Sequence, residues 1–126
     1  MAQPCPCGSG AAYGDCCEPL HHGAPATTAE ALMRSRFSAY AVGNADYLLT
    51  SWDPGTAPRR VEVDHDTVWR RLQIVDTEAG GAGDDEGVVE FRATYLRDGR
   101  HGVLHERSRF GRVDGRWVYV DGDTFD

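Results

Sequence analysis

The sequence predicts an α+β fold in which helices precede a curved antiparallel sheet. Apolar residues recur at helical spacing early in the chain, they alternate strictly later on, and Asp-Gly pairs punctuate the alternating part. With 126 residues, 40% apolar and 26% charged, the chain suits one compact unit with room for a short appendage.

Thr27 followed by Glu30 has the form of a capping box, and Leu32, Met33, Phe37, Tyr40 and Ala41 then follow at helical spacing until Gly43, predicting a helix over 28–42. Asn44 can cap a second, short helix that stacks Leu48 on Trp52 and stops at Pro54-Gly55. From there the period changes to two. Arg59 to Asp64 reads as a first short strand, and Thr67 to Asp76 becomes strand-like towards its end, while Glu78 to Gly87 is rich in Gly and Asp and reads as a flexible hairpin loop. Gly87 to Leu96 sets Val89, Phe91, Ala93 and Tyr95 on one face. Asp98-Gly99 turns the chain into His101 to Val113, where Leu104, Glu106, Ser108 and Phe110 oppose Val103, His105, Arg107 and Arg109. Asp114-Gly115 turns it again into Arg116 to Asp121, with Trp117 and Tyr119 opposite Val118 and Val120. Helices packed on one face of such a sheet leave the sheet free to wrap around a pocket.

All four cysteines lie ahead of these elements, at Cys5, Cys7, Cys16 and Cys17, in the spacing C-x-C-x8-C-C. The opening Met-Ala-Gln-Pro-Cys has neither a basic region nor an apolar core, so a cytoplasmic protein with reduced thiols is expected. Four gathered thiols then point to a metal, and one structural Zn2+ fits: a borderline-soft d10 ion takes four thiolates tetrahedrally and keeps no position open for catalysis. Gly8, Gly10 and Gly14 let the backbone close around the ion, and Tyr13 can cover one side. A redox pair or a strained Cys16–Cys17 disulfide is the alternative, and His21 and His22 are competing ligands if Cys17 turns away, although the pair reads more simply as linker. Pro19, Gly23 and Pro25 mark residues 18–26 as that linker.

Cys5 to Cys17, with Pro6, Gly8-Ser9-Gly10 and Tyr13, resembles the SEC-C zinc motif, with Cys17 where that motif often has His. The runs Leu32–Tyr40, Tyr47–Trp52, Leu104–Arg112 and Gly115–Gly122 resemble the YchJ-like family of bacterial proteins. This resemblance implies a SEC-C motif over residues 1–22 and a nuclear-transport-factor-2-like α+β cone over 27–126. It also implies, by analogy with other cones, pairing of two copies through their sheets.

Composition narrows the chemistry. The absence of lysine removes Schiff-base and amine-nucleophile mechanisms, and the net charge of −7 argues against nucleic acid and anionic membranes as general partners. No apolar run approaches the roughly 20 residues of a bilayer span. There is no nucleophile elbow, H-E-x-x-H, phosphate loop or dinucleotide fingerprint, so an enzymatic reading is confined to acid–base work in the cone pocket. Tyr40, Trp52, Trp69, Glu106, Ser108, Phe110, Trp117 and Tyr119 are the candidate lining. Glu106 stands out, because apolar neighbours would disfavour its charged form, unless Arg34, Arg36 or a sheet arginine pairs with it.

Three functional readings follow. The first is an adaptor that docks a protein partner through the knuckle. The second is a small-molecule binder or acid–base enzyme using the pocket. The third is a weak RNA contact through the sheet face carrying Arg107 and Arg109, because residues 97–117 hold six arginines against Asp98, Glu106 and Asp114.

Overall fold

The computed structural model describes residues 3–125. A 3-10 turn (Tyr13–Asp15) and three helices, α1 (Glu18–His21), α2 (Ala29–Val42) and α3 (Ala45–Thr50), precede four strands, β1 (Thr67–Ala79), β2 (Glu86–Arg97), β3 (Arg100–Val113) and β4 (Arg116–Phe125). The strands pair antiparallel in the order β1-β2-β3-β4, an open meander against which α2 packs.

Helix α2 starts one residue later than the capping box predicts. Thr28 is the cap, its Oγ1 accepting from the Ala31 N–H at 3.0 Å. Glu30 does not reach back to the cap but binds Arg34 Nε one turn on, at 3.0 Å. Gly43, at φ 78°, closes the helix in the left-handed conformation. Asn44 then caps α3 through the Tyr47 N–H at 3.1 Å, as its position predicts. Trp52 lies beyond α3 rather than in it. The chain after α3 runs alongside β4, with Tyr119 N–H donating to Ser51 O at 2.9 Å and Asp53 N–H to Tyr119 O at 2.8 Å, and this bridge sets Trp52 over Tyr119.

The strand expected at Arg59 to Asp64 is absent: most of that segment is exposed and pairs with no edge. Strand β1 instead takes all of Thr67–Ala79, and the Gly/Asp-rich stretch shrinks to a loop over 80–85. Both Asp-Gly turns form as predicted, with positive φ at Asp98 (51°), Gly99 (76°), Asp114 (52°) and Gly115 (80°). Irregularities in register between Trp69 and Arg71, between Ile74 and Asp76, and beside Arg109/Phe110 give the sheet local bends.

Leu72, Val89, Phe91, Ala93, Phe110 and Trp117 of the sheet share one core with Ala29, Leu32, Met33 and Phe37 of α2. Cys5, Cys7 and Cys17 belong to that same core, so the knuckle is built into the domain and does not hang from it on a linker. Part of the expected linker is helical, as α1.

Candidate functional site: a four-cysteine centre and a cavity behind it

The N-terminal segment folds back on itself through a bridge between Pro4 and Ala12, with the Cys5 N–H donating to Ala11 O at 2.9 Å and the Gly8 N–H to Cys5 O at 3.1 Å. This closure gathers the ligand atoms of Cys5, Cys7, Cys16 and Cys17 within 4.8 Å of one another. Cys7 and Cys16 Sγ are 3.6 Å apart, and Cys16 and Cys17 Sγ 3.9 Å. The second separation is far above the roughly 2.05 Å of a disulfide, so the adjacent pair is not bridged. Both values sit near the ~3.8 Å sulfur–sulfur edge of a tetrahedron with metal–sulfur bonds of about 2.3 Å. The four cysteines are therefore close enough to hold one metal ion.

The protonation of the cluster shows why it suits a cation. The Cys7 thiol is pulled down, chiefly by the hydrogen bond from Cys17, whereas that bond and burial push Cys17 up, and burial pushes Cys16 up. Four thiols this close cannot all ionise on their own; a divalent ion that displaces their protons removes the conflict. Ser9 Oγ lies 3.1 Å from Cys16 Sγ on the outside and Ser38 Oγ 3.5 Å from Cys5 Sγ on the inside. Neither histidine joins the thiols in the cluster. His21 instead ties the knuckle to α2: its Nε2–H donates to Ser35 O at 2.8 Å while Nδ1 accepts from the Tyr13 hydroxyl at 2.6 Å. Burial holds this ring towards its neutral form. Arg34 adds a second tie, Nη1 donating to Cys7 O at 3.0 Å.

On the other side of α2 lies a cavity of about 190 Å3, lined by Tyr40, Trp52, Trp69, Glu106, Ser108 and Tyr119 together with apolar residues of α2 and the sheet. Phe110 and Trp117 stand outside this lining. Phe110 packs in the core against Tyr119, and Trp117 borders a separate open cleft of about 800 Å3 beside α3, under the Arg112 guanidinium. Trp117 shares a face of β4 with Tyr119 in unbroken register, but the strand bridge at Trp52 sets a ring over Tyr119 that Trp117, earlier on the strand, does not meet.

Within the cavity, Glu106 Oε2 accepts from the Ser108 hydroxyl at 2.5 Å and the Tyr119 hydroxyl at 2.9 Å. Burial, and next the Glu106 carboxylate, push the Tyr119 phenol up, so it stays a donor. No arginine forms an ion pair with Glu106 among the described residues. Arg34 is taken by Glu30 and Cys7. Arg36, 3% exposed, sends Nη1 to Leu48 O at 2.8 Å and to Ser51 Oγ at 2.7 Å, its Cζ lying 4.8 Å from the Trp52 ring centre and 4.5 Å from that of Tyr119. The sequence does carry a sign of this: Met33, Arg36, Phe37 and Tyr40 share one helical stripe, and an arginine inside an apolar stripe is buried with it.

The arginine row of the sheet is not a free basic strip. Arg107 pairs with Asp76, Glu78 and Glu90, each at 3.0 Å, and Arg109 with Asp121 at 2.5 Å and Asp123 at 2.9 Å. His105 Nε2 lies 2.8 Å from Glu90. The charges of Arg107 and Arg109 are thus met by carboxylates of the other strands.

Residues 28–122 match the family model described as YchJ, middle NTF2-like domain. The chain belongs to that family. Residues 1–19 match the SEC-C motif, the segment that gathers the four cysteines. Among curated relatives, the UPF0225 protein SCO1677 of Streptomyces coelicolor is 52% identical over 98% of this chain and 97% of its own length. A UPF0225 protein of Deinococcus radiodurans is 46% identical over 94% of this chain and 88% of its own. Among solved structures, RPA3114 of Rhodopseudomonas palustris, a SEC-C motif containing protein, superposes with a TM-score of 0.81 at 36% identity, covering 100% of both chains. A SEC-C motif containing protein of Psychrobacter arcticus shares the fold, with a TM-score of 0.77 at 24% identity over 98% of this chain and 84% of its own. The α+β architecture of the family is the one seen here, and no helix is long and apolar enough to cross a membrane among the described residues.

Proposed function

We propose that this protein is a zinc-braced small-molecule binder: four thiolates hold one Zn2+ as a structural centre, and the cavity behind α2 is the working site. The donor set supports zinc, since four thiolates gathered within 4.8 Å of one another suit a closed d10 site. A reducing cytoplasm is the compartment that suits such a centre, because unbridged thiols persist there.

The observation that carries the binding role is Arg36. A guanidinium buried to this degree without a carboxylate partner is costly, and buried charges are ordinarily paired. Here it borders an open volume that also holds Glu106. A small-molecule screen read by melting temperature tests the reading, since a ligand specific to the folded cavity raises it. A diverse set with no stabilising member would sink it.

The adaptor reading draws on one feature, the exposed turn from Gly8 to Ala11 beside the half-buried Cys16. Pull-down with wild type against Cys16→Ser tests it; an unchanged set of partners after loss of the metal removes it. The buried sides of Cys5, Cys7 and Cys17 face the protein's own core, which leaves the knuckle less surface to offer than an independent module would.

A further inference from the structure

The cavity contains one fixed cation and one fixed carboxylate that do not pair with each other. Among the described residues, Arg36 uses Nη1 alone for its hydrogen bonds, leaving Nε and Nη2 without partners. Glu106 receives both of its hydrogen bonds on Oε2, leaving Oε1 without one. Their separation exceeds the 4.0 Å of an ion pair, and Tyr119 stands between them, its ring against Arg36 and its hydroxyl on Glu106. The remaining walls are aromatic or aliphatic: Phe37, Tyr40, Trp52, Trp69, Phe91 and Leu104.

Resting on the reading of this cavity as a binding site, we infer that its ligand is a small, neutral, planar amide or amide-like heterocycle, whose carbonyl faces Arg36 and whose N–H faces Glu106. Each class of charged ligand fails on one of the two poles. A carboxylate satisfies Arg36 but is set against Glu106, and an ammonium satisfies Glu106 but is set against Arg36. A pure hydrocarbon fills the aromatic walls and leaves Nε and Nη2 of Arg36 and Oε1 of Glu106 without partners. A group that accepts at one end and donates at the other satisfies both. Size agrees: a cavity of roughly 150 Å3 accommodates benzene, so about 190 Å3 admits one ring and an amide.

Three tryptophans give the readout. Trp52 and Trp69 line the cavity and Trp117 does not. Their indole N–H signals in 15N-labelled, zinc-loaded full chain are followed against four probes of one ring each: benzamide, benzoate, benzylammonium and toluene. Benzamide is expected to move the Trp52 and Trp69 signals, leave Trp117 in place, and bind at least about tenfold more tightly than either charged probe, as a like-charge contact dictates. In Glu106→Gln, which removes the negative pole without changing the shape, benzoate should overtake benzamide. If that variant does not fold, the wild-type order decides alone. Benzoate, benzylammonium or toluene binding wild type as tightly as benzamide would overturn the ligand class and leave the cavity reading standing. Silence of both cavity indoles towards all four probes would overturn the cavity reading and the ligand class with it.

Discussion

The carboxyl group of Glu106 rests against the bare backbone of Gly122. A Cβ built at 122 collides with Oε2 and falls 2.9 Å from Cδ. The glycine is the space in which the Glu106 side chain lies while it takes the hydroxyls of Ser108 and Tyr119.

Gly122→Ala should therefore displace the carboxyl and break both hydrogen bonds, costing about 1–3 kcal/mol of stability as overpacking does. Gly111→Ala is the control, since its Cβ would meet Val120 at an ordinary 3.5 Å. Urea unfolding of the two variants measures the difference; equal midpoints would mean that Glu106 is not held there.

Removing the metal should unsettle the whole domain, because three of the four cysteines are part of its core. At free zinc a thousandfold above Kd, binding contributes about 4 kcal/mol, which is a melting shift of roughly 10–15 °C for a chain of this size. Calorimetry before and after a thiol-compatible chelator checks this, with Cys7→Ser expected to resemble the chelated form.

Arg36→Lys keeps the charge and should still destabilise, by about 2–4 kcal/mol, because a lysine cannot both hold Leu48 O and Ser51 Oγ with one nitrogen and lay a planar fork between Trp52 and Tyr119. The chemical denaturation midpoint is the readout. A neutral result would show that only the charge matters.

On the ion-paired face of the sheet, hydrogen bonds from His105 and then Arg107 hold Glu90 below its ordinary range, and Arg109 does the same for Asp123. Carboxylates depressed in the folded state contribute stability that is present above their unfolded values of 4.5 and 3.8 and is lost as pH falls through their folded values. Acid unfolding followed from pH 6 downwards should show that loss, and 1 M salt should blunt the part due to Asp123, which is exposed, more than that due to the half-buried Glu90.

The strands of the meander were legible because Asp98-Gly99 and Asp114-Gly115 fix the turns and alternation fixes the faces. The clustering of the four cysteines was legible because their spacing is local. Arg59 to Asp64 misled, since alternation without a partner edge makes no strand. The contacts between knuckle and helix were not legible: Ser35 and Ser38 are fully buried, yet small polar residues on a helix read as its wet side. Their burial depends on what the N-terminal segment brings to them, and that is a long-range fact. The idle forks of Arg36 and the bond from His21 to Ser35 belong to the same class.

Helix α2 presents Ser35 and Ser38 to the knuckle and α3, and Met33, Arg36, Phe37 and Tyr40 to the cavity. One rod is thus the inner wall of two rooms. On the proposed reading, a cell starved of the ion would lose more than a surface ornament: the partition itself would loosen, and occupancy of the chamber would come to track metal supply, though no atom of the guest touches sulfur.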